Sequence, residues 1–263
     1  MNLKPPPLTA HKTIAHLSDL HLGRSTNEFA AALALRETLE AEKVDHVIVT
    51  GDVTDHGRGA ELRQFDAIFG PWREAGRLTV VPGNHDRLGD EVSEKMMTGP
   101  RVDFTRRDGL FIVRVNSTGP HNRFLLTGHG KIDEQILDET DRLVRQASDD
   151  DLVVVALHHH LLPLPEDLFI EKVSNWLGLP FASELLLGRI LAERLRGRCD
   201  LVLHGHRHMP KETLLSHQGR NLGIYNAGSS TKLGSFRLFT HHQGSIVGAP
   251  AWVPATGRIV EPK

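Results

Sequence analysis

The sequence predicts a layered α/β fold. Short apolar runs alternate along the chain with segments that carry apolar residues at helical spacing, and this βαβα rhythm is typical of the class. Hydrophobic residues make up 39% and charged residues 24% of the 263 residues, close to globular averages, so a sizeable core can form. Because layered α/β folds of this length often form one unit, we expect a single domain over residues 1–263.

The elements up to residue 203 follow this rhythm in order. The predicted strands, each a short apolar run, lie at 13–17, 44–49, 78–81, 110–115, 152–157 and 201–203. The predicted helices, each with apolar residues at helical spacing, lie at 29–42, 61–69 and 134–146.

The pattern changes after residue 208. Three segments look like strands joined by turns, at 211–216, 220–226 and 235–240, and no helical pattern separates them. They predict a second sheet that is partly antiparallel.

Residues 161–196 are rich in Leu, Phe and Trp, and we predict two helices there. Because the segment directly follows a strand that ends in histidines, we interpret it as a helical cap beside a site. An ordinary pair of core helices and a homodimer interface are the competing interpretations.

The charge balance argues against a dedicated duplex-DNA binder, since the formal net charge is -2 and the pI about 6.8. The N-terminal residues lack the apolar region of a signal peptide, and no stretch approaches the roughly 18 apolar residues of a membrane span. These features predict a cytoplasmic location.

Polar residues gather where the predicted strands end. Strand by strand, they are Asp19 and His21; Asp52 and Asp55; Asn84, His85 and Asp86; His158, His159 and His160; and His204, His206 and His208. In α/β sheets, ligands bind at the carboxyl ends of the strands, so these five segments are expected to converge on one crevice.

Carboxylate, imidazole and amide groups together favour first-row dications such as Mn²⁺, Fe²⁺ or Zn²⁺ over a thiolate site. Six or more ligands exceed the needs of one catalytic metal, and two metals about 3.5–4 Å apart with a bridging carboxylate are the simplest solution. We expect Asp19 and His21 to point to the same side of an extended segment, because strand side chains alternate, and likewise His206 and His208.

At this point the residues resemble the signature blocks of the calcineurin-like metallophosphoesterases. The matching blocks are Asp19-x-His21, Gly51-Asp52-x-x-Asp55, Gly83-Asn84-His85-Asp86, His158 and Gly205-His206-x-His208. They follow the family's order over residues 19–208. The resemblance implies a four-layer αββα sandwich of two mixed sheets flanked by helices.

The resemblance also implies which residues hold the two metal ions (Mn²⁺, Fe²⁺/Fe³⁺ or Zn²⁺). Asp19, His21 and His208 would bind one metal; Asn84, His158 and His206 would bind the other; and Asp52 would bridge them. His160 and Leu161 stand where the family usually has two prolines, which leaves His159 as an alternative to His158.

The implied chemistry is attack of a metal-bound hydroxide on phosphorus, in line with the leaving group. His85 would stabilise charge on the phosphate or protonate the leaving oxygen, and Asp86 would orient His85. Asp55 is expected to hold its loop rather than bind metal. Residues 226–231 resemble a glycine-containing turn that is common late in the family, and we expect this turn to close the floor of the site.

The substrate is less well specified. The blocks look most like those of class III cyclic-nucleotide phosphodiesterases and glycerophosphodiesterases, which favours a small phosphate diester such as a cyclic nucleotide. A nuclease for single-stranded nucleic acid, a hydrolase of lipid-linked or sugar pyrophosphates, and an inactive metal-binding scaffold are the alternatives. The near-neutral charge and an aromatic content of only 5% argue against the nuclease.

Overall fold

The computed structural model describes residues 11–123, 128–162, 185 and 187–255. The strands in these residues are β1 (Lys12–Leu17), β2 (His46–Thr50), β3 (Leu78–Val81), β4 (Val102–Arg107), β5 (Leu110–Val115), β6 (Leu152–Ala156), β7 (Leu201–His204), β8 (Lys211–His217), β9 (Arg220–Asn226), β10 (Ser235–His242), β11 (Ser245–Ile246) and β12 (Ala251–Pro254). The α-helices are α1 (Thr26–Ala41), α2 (Gly59–Glu74), α3 (Val92–Met96), α4 (Glu134–Val144), α5 (Gly188–Leu195) and α6 (Ser230–Leu233). Short 3-10 helices lie at His85–Arg87 and Pro120–Arg123.

The strands form two mixed sheets. Sheet 1 has the order β11-β10-β1-β2-β3, and β12 also pairs with β10. Its strands β1, β2 and β3 are parallel, and β10 runs antiparallel to β1. Sheet 2 has the order β4-β5-β6-β7-β9-β8, parallel from β5 to β9 with antiparallel edge strands.

Strand alternation divides the apolar side chains among three layers of core. In β2, Ile48 faces the core between the two sheets, where it joins Phe239 of β10, while Val47 and Val49 face α1 and α2. In β6, Val154 faces the same central core, and its neighbours face the layer formed with α4 and α5. The order of layers is therefore helices, sheet 1, sheet 2 and helices, which confirms the expected four-layer sandwich.

The last three predicted strands exist, but they do not share one sheet. β8 and β9 extend sheet 2, whereas β10 returns to sheet 1 beside β1. The expectation that they build a sheet of their own is therefore wrong. Local turn signals show where strands end but do not show which distant strand each one pairs with.

The cap prediction falls largely outside the described residues, because of 161–196 only 161, 162, 185 and 187–196 are described. Within that part, α5 is a core helix. Leu191, Ala192 and Leu195 are buried in the core cluster of sheet 2 and α4. The interpretation of residues 161–196 as a cap stays a prediction, because most of them lie outside the described residues.

Among the residues that the structure describes, none of the helices combines the length and the apolar character that crossing a membrane requires.

Candidate metal centre

The predicted ligands all follow the carboxyl ends of parallel strands, and both sheets contribute them. The loops after β1, β2 and β3 come from sheet 1, and the loops after β6 and β7 come from sheet 2. The structure brings Asp19, His21, Asp52 and His208 together, with one potential ligand atom of each within 4.8 Å of the others. The crevice therefore lies where the ends of the two sheets meet.

Asp19, His21 and His208 form the first ligand group. Nε2 of His21 lies 3.0 Å from Nε2 of His208, and the latter lies 3.2 Å from Oδ1 of Asp19. Two neighbouring ligands at right angles, each about 2.1 Å from a cation, would be about 3.0 Å apart. The spacing of these three atoms therefore fits a shared cation.

Asn84, His158 and His206 form the second ligand group. Oδ1 of Asn84 lies 3.1 Å from Nε2 of His158 and 3.0 Å from Nδ1 of His206. The Asp52 carboxylate faces both groups, since Oδ2 lies 3.4 Å from Nε2 of His158 and 3.9 Å from Nε2 of His21. Asp52 therefore has the position that a bridging ligand needs.

In His158 and His21 the protein holds the second ring nitrogen, which fixes the nitrogen that a metal would use. Nδ1 of His158 donates to the carbonyl oxygen of Thr50 at 2.7 Å. Nδ1 of His21 lies 3.1 Å from the Asp55 carboxylate. Both rings consequently present Nε2 to the crevice.

The same reasoning separates His158 from His159. Although His159 lies within ligand distance of His158 and His206, both of its nitrogens are engaged. Nε2 donates to the carbonyl oxygen of Gly128 at 2.9 Å, and Nδ1 accepts from the Ser117 hydroxyl at 2.8 Å. The geometry therefore favours His158 as the ligand.

At five of the seven predicted ligands the backbone is left-handed rather than extended. φ is +53° at Asp19, +48° at His21, +48° at Asp52, +76° at His206 and +54° at His208. The expectation that extended segments align these pairs is therefore wrong. Left-handed turns beyond the strand ends direct the side chains, and such conformations in non-glycine residues are typical of functional sites.

Two glycines of the signature blocks lie so close to ligand carboxylates that no side chain fits there. A Cβ at Gly83 would lie 2.2 Å from Oδ1 of Asp52, and a Cβ at Gly205 would lie 2.4 Å from Oδ2 of Asp19. Any side chain at these positions would displace a carboxylate of the centre.

His85 lies beside the two groups, with its side chain 27% exposed. Its backbone N–H donates to Oδ1 of Asp52 at 2.8 Å, and its Nδ1 donates to the carbonyl oxygen of Asp55 at 2.8 Å. This second bond leaves Nε2 as the nitrogen that does not face the Asp55 carbonyl. The ring packs edge-on against His21, with centroids 4.7 Å apart.

Asp86 has a different role from the one expected. Its buried carboxylate accepts from the backbone N–H of Gly83 at 2.9 Å, and from the N–H and the hydroxyl of Thr54 at 2.8 and 2.7 Å. These bonds join the loops after β2 and β3, while the Asp55 carbonyl holds the imidazole of His85. The expectation that Asp86 orients His85 is therefore corrected.

The pKa values of Asp52 and His158 are shifted strongly in opposite directions. Burial alone would raise the pKa of Asp52, yet the neighbouring His158 holds it well below its usual range. Burial would lower the pKa of His158, but Asp52 raises it to about 9. In the metal-free protein these groups form a buried ion pair, and a bound cation would replace the His158 proton.

The Asp55 carboxylate contacts His21 and Arg24, and it lies close enough to His21 and His85 to form a further group that could hold a metal ion. Its Oδ1 lies 3.1 Å from Nδ1 of His21 and 2.7 Å from Arg24. Burial would raise the pKa of Asp55, but His21 and Arg24 lower it to about 2. Arg24 and Ser117 were not predicted as residues of the site. They contact residues beside the ligands rather than a metal, and no sequence motif marks such residues.

The calcineurin-like phosphoesterase family model matches residues 12–210. Comparison with curated protein sequences gives no significant match.

Solved structures with the same fold include a dimetal phosphatase from Danio rerio, with a TM-score of 0.62, 11% identity, and coverage of 93% of this chain and 99% of that one. A purple acid phosphatase from yellow lupin seeds matches with a TM-score of 0.63 and 10% identity, over 96% of this chain and 53% of that one. GAP50, the anchor in the inner membrane complex of Plasmodium, matches with a TM-score of 0.56 and 12% identity, over 95% and 87% of the two chains. At these identities the likeness shows the fold alone.

Proposed function

The chain belongs to the calcineurin-like phosphoesterase family, and on this premise we propose that it is a dinuclear metal-dependent phosphodiesterase acting on small diesters. The observation that carries the proposal is the pair of ligand groups that share Asp52, with ligand separations of 3.0–3.9 Å.

In this proposal Asp19, His21 and His208 hold one cation and Asn84, His158 and His206 hold the other, with Asp52 common to both. The mixed oxygen and nitrogen donors favour Mn²⁺, Fe²⁺/Fe³⁺ or Zn²⁺. When bound, the two cations would supply Lewis-acid stabilisation of the phosphate and an activated water.

His85 is the proposed proton donor to the leaving oxygen. Because Nδ1 donates to the Asp55 carbonyl, a proton delivered to substrate must come from Nε2. The bond from its backbone N–H to Asp52 fixes the ring relative to the shared carboxylate. Asp86 supports this arrangement through the loop that carries His85, and so acts as a positioning residue.

The preference for a small diester rests on the sequence blocks, which look most like those of the class III cyclic-nucleotide and glycerophosphodiesterase branch. The net charge of -2 gives no general attraction for long nucleic acids, so a nuclease is the weaker alternative.

The test is a substrate panel on metal-free protein reconstituted with Mn²⁺, Fe²⁺, Co²⁺ or Zn²⁺. Bis(p-nitrophenyl) phosphate and cyclic nucleotides are expected to turn over faster than p-nitrophenyl phosphate and single-stranded DNA. No turnover of any ester with any of these cations would refute the enzymatic function. Faster cleavage of the monoester would refute the diester preference alone, and faster cleavage of DNA, which is itself a diester, would refute only the preference for small diesters.

Asn84→Ala is expected to lose one bound cation and most of the activity, because Asn84 faces both histidines of its group. Asn221→Ala is the matched control, since Asn221 is an exposed residue that bonds to Ser216. Equal metal content in the two variants would exclude Asn84 as a ligand.

A further inference from the structure

Residues 226–231 run from the last residue of β9 into α6, and they hold the backbone of the first ligand group from a distant part of the chain. The Ser229 hydroxyl donates to the carbonyl oxygen of Asp19 at 2.8 Å. The Thr231 hydroxyl donates to the carbonyl oxygen of Leu20 at 3.1 Å. Both side chains are buried, so these bonds are shielded from water.

The same segment also reaches the loop that carries His206 and His208. Nδ2 of Asn226 donates to the carbonyl oxygen of Gly205 at 2.8 Å. The backbone N–H of Ser230 donates to the carbonyl oxygen of Ser18 at 2.9 Å. Residues 226–231 therefore join the ligand loop of sheet 1 to the ligand loop of sheet 2.

The N–H groups on the opposite side of the first loop are bonded as well. The N–H of Asp19 donates to the Gly51 carbonyl at 3.0 Å, and that of His21 donates to the Asp52 carbonyl at 3.0 Å. Residues 19–21 are thus held from both sides. Such support is needed because φ at Asp19 and His21 lies in the left-handed region that L residues disfavour.

We propose that Ser229 and Thr231 are positioning residues that set the affinity of the first ligand group for its cation. Their hydroxyls bond to backbone carbonyls of the loop that carries Asp19 and His21. By fixing the carbonyls of Asp19 and Leu20, their hydroxyls fix the directions in which the Asp19 and His21 side chains leave the backbone. The inference rests on the proposed function in one respect, namely that a cation occupies this group.

Ser229→Ala removes the hydroxyl while adding no bulk. Titration calorimetry measures Mn²⁺ binding to the metal-free variant, and equilibrium dialysis gives the number of ions bound. We expect Mn²⁺ to bind about tenfold more weakly at one of the two sites. The other site is expected to keep its affinity. Ser229→Thr retains a hydroxyl and is expected to restore the lost binding.

Thr140→Val is the matched control. The buried Thr140 hydroxyl donates to the carbonyl oxygen of Ile136 within α4, away from the centre. This variant is expected to lower the melting temperature of the metal-free protein about as much as Ser229→Ala does, while leaving both Mn²⁺ affinities unchanged. The comparison separates a loss of positioning from a general loss of stability.

Unchanged Mn²⁺ binding in Ser229→Ala, equal weakening of both sites, or the same weakening in Thr140→Val would each overturn the positioning role. A wild-type protein that binds two cations but cleaves no ester would refute the proposed function alone, and Ser229→Ala would still decide the positioning role. Binding of no cation by the wild type would refute both.

Discussion

At the scale of single residues, the histidines of the centre differ in what holds the nitrogen that faces away from the crevice. The backbone carbonyl of Thr50 holds His158, the Asp55 carboxylate holds His21, and the Asp55 carbonyl holds His85. A carboxylate partner makes an imidazole a more basic ligand than a carbonyl does. The two ligand groups are therefore chemically unequal before any cation binds.

His85→Asn tests the proposed proton donor. The asparagine N–H can still donate to the Asp55 carbonyl, but the side chain has no proton to deliver. Turnover of an alkyl diester should fall about 10²–10⁴-fold, and that of bis(p-nitrophenyl) phosphate much less, since p-nitrophenolate leaves without protonation. Steady-state rates and metal content measure this. Equal losses for both substrates, or loss of a cation, would contradict the role.

His46 lies in β2, away from the centre. Its environment predicts that the free energy of unfolding depends on pH. Burial, with the nearby charges of Arg107 and Arg77, lowers its pKa to about 4, and Nε2 bonds to the Thr79 hydroxyl at 2.8 Å. Below the unfolded pKa of about 6.5, the unfolded chain takes up a proton that the folded protein does not. Stability is therefore complete above that value and is lost as the pH falls toward 4.

His46→Gln keeps a partner for Thr79 but cannot titrate. Between pH 6.5 and 5, the wild type is expected to lose about 2 kcal/mol more of its free energy of unfolding than the variant does. Urea denaturation of the metal-free proteins at both pH values measures the difference. Parallel losses in the two proteins would show that His46 does not contribute.

The residue identities of the centre were predictable from sequence, but their partners were not. Few roles other than metal binding explain why polar side chains follow so many strand ends, as those of Asp52, Asn84 and His208 do. Ser117 and Gly128, which decide between His158 and His159, lie 42 and 31 residues from His159 in the chain. Only the folded structure brings such partners together.

At the scale of elements, the loop after β3 depends on a residue without a side chain. Gly83→Ala would place a methyl group 2.2 Å from Oδ1 of Asp52 and is expected to abolish binding of at least one cation. In Gly59→Ala, the methyl would meet only Arg63 and Asp90 at 3.6–3.7 Å, so binding should persist. Metal content after dialysis compares the two variants. Full occupancy in Gly83→Ala would show that the loop can shift.

Element boundaries show what sequence patterns capture. The prediction for α2 ended at residue 69, before Pro71, yet the helix continues to Glu74 with Pro71 inside it. β4 was missed because most of its side chains are exposed at a sheet edge, so its sequence lacks an apolar run. Left-handed turns at the ligands were also missed, because Asp and His are not reliable signals for them.

At the scale of the whole molecule, the centre joins the two sheets. Asp19, Asp52 and Asn84 belong to loops of sheet 1, and His158 and His206 to loops of sheet 2. Any cation that binds only the folded state adds to stability, by about 2.7 kcal/mol per site at 100 times its Kd. The melting temperature should therefore rise strongly when metal binds.

Removal of metal with a chelator is expected to lower the melting temperature by about 5–10 °C per site, given the size of the chain. Asp52→Asn should abolish most of this difference. Asp66→Asn, which alters an exposed pair with Arg73, should retain it. Scanning calorimetry with and without chelator measures the effect, and a metal-independent melting temperature in the wild type would argue against the shared centre.

The pairing of β1 with β10 has a consequence for synthesis of the chain. Lys12 lies opposite His241, so the central strand of sheet 1 lacks one neighbour until residues up to 241 have left the ribosome. During translation β1 presents an open hydrogen-bonding edge, and such edges invite pairing with other chains. Closure of sheet 1 by β10 thus follows the synthesis of every proposed ligand, because the last of these, His208, precedes β10 in the chain.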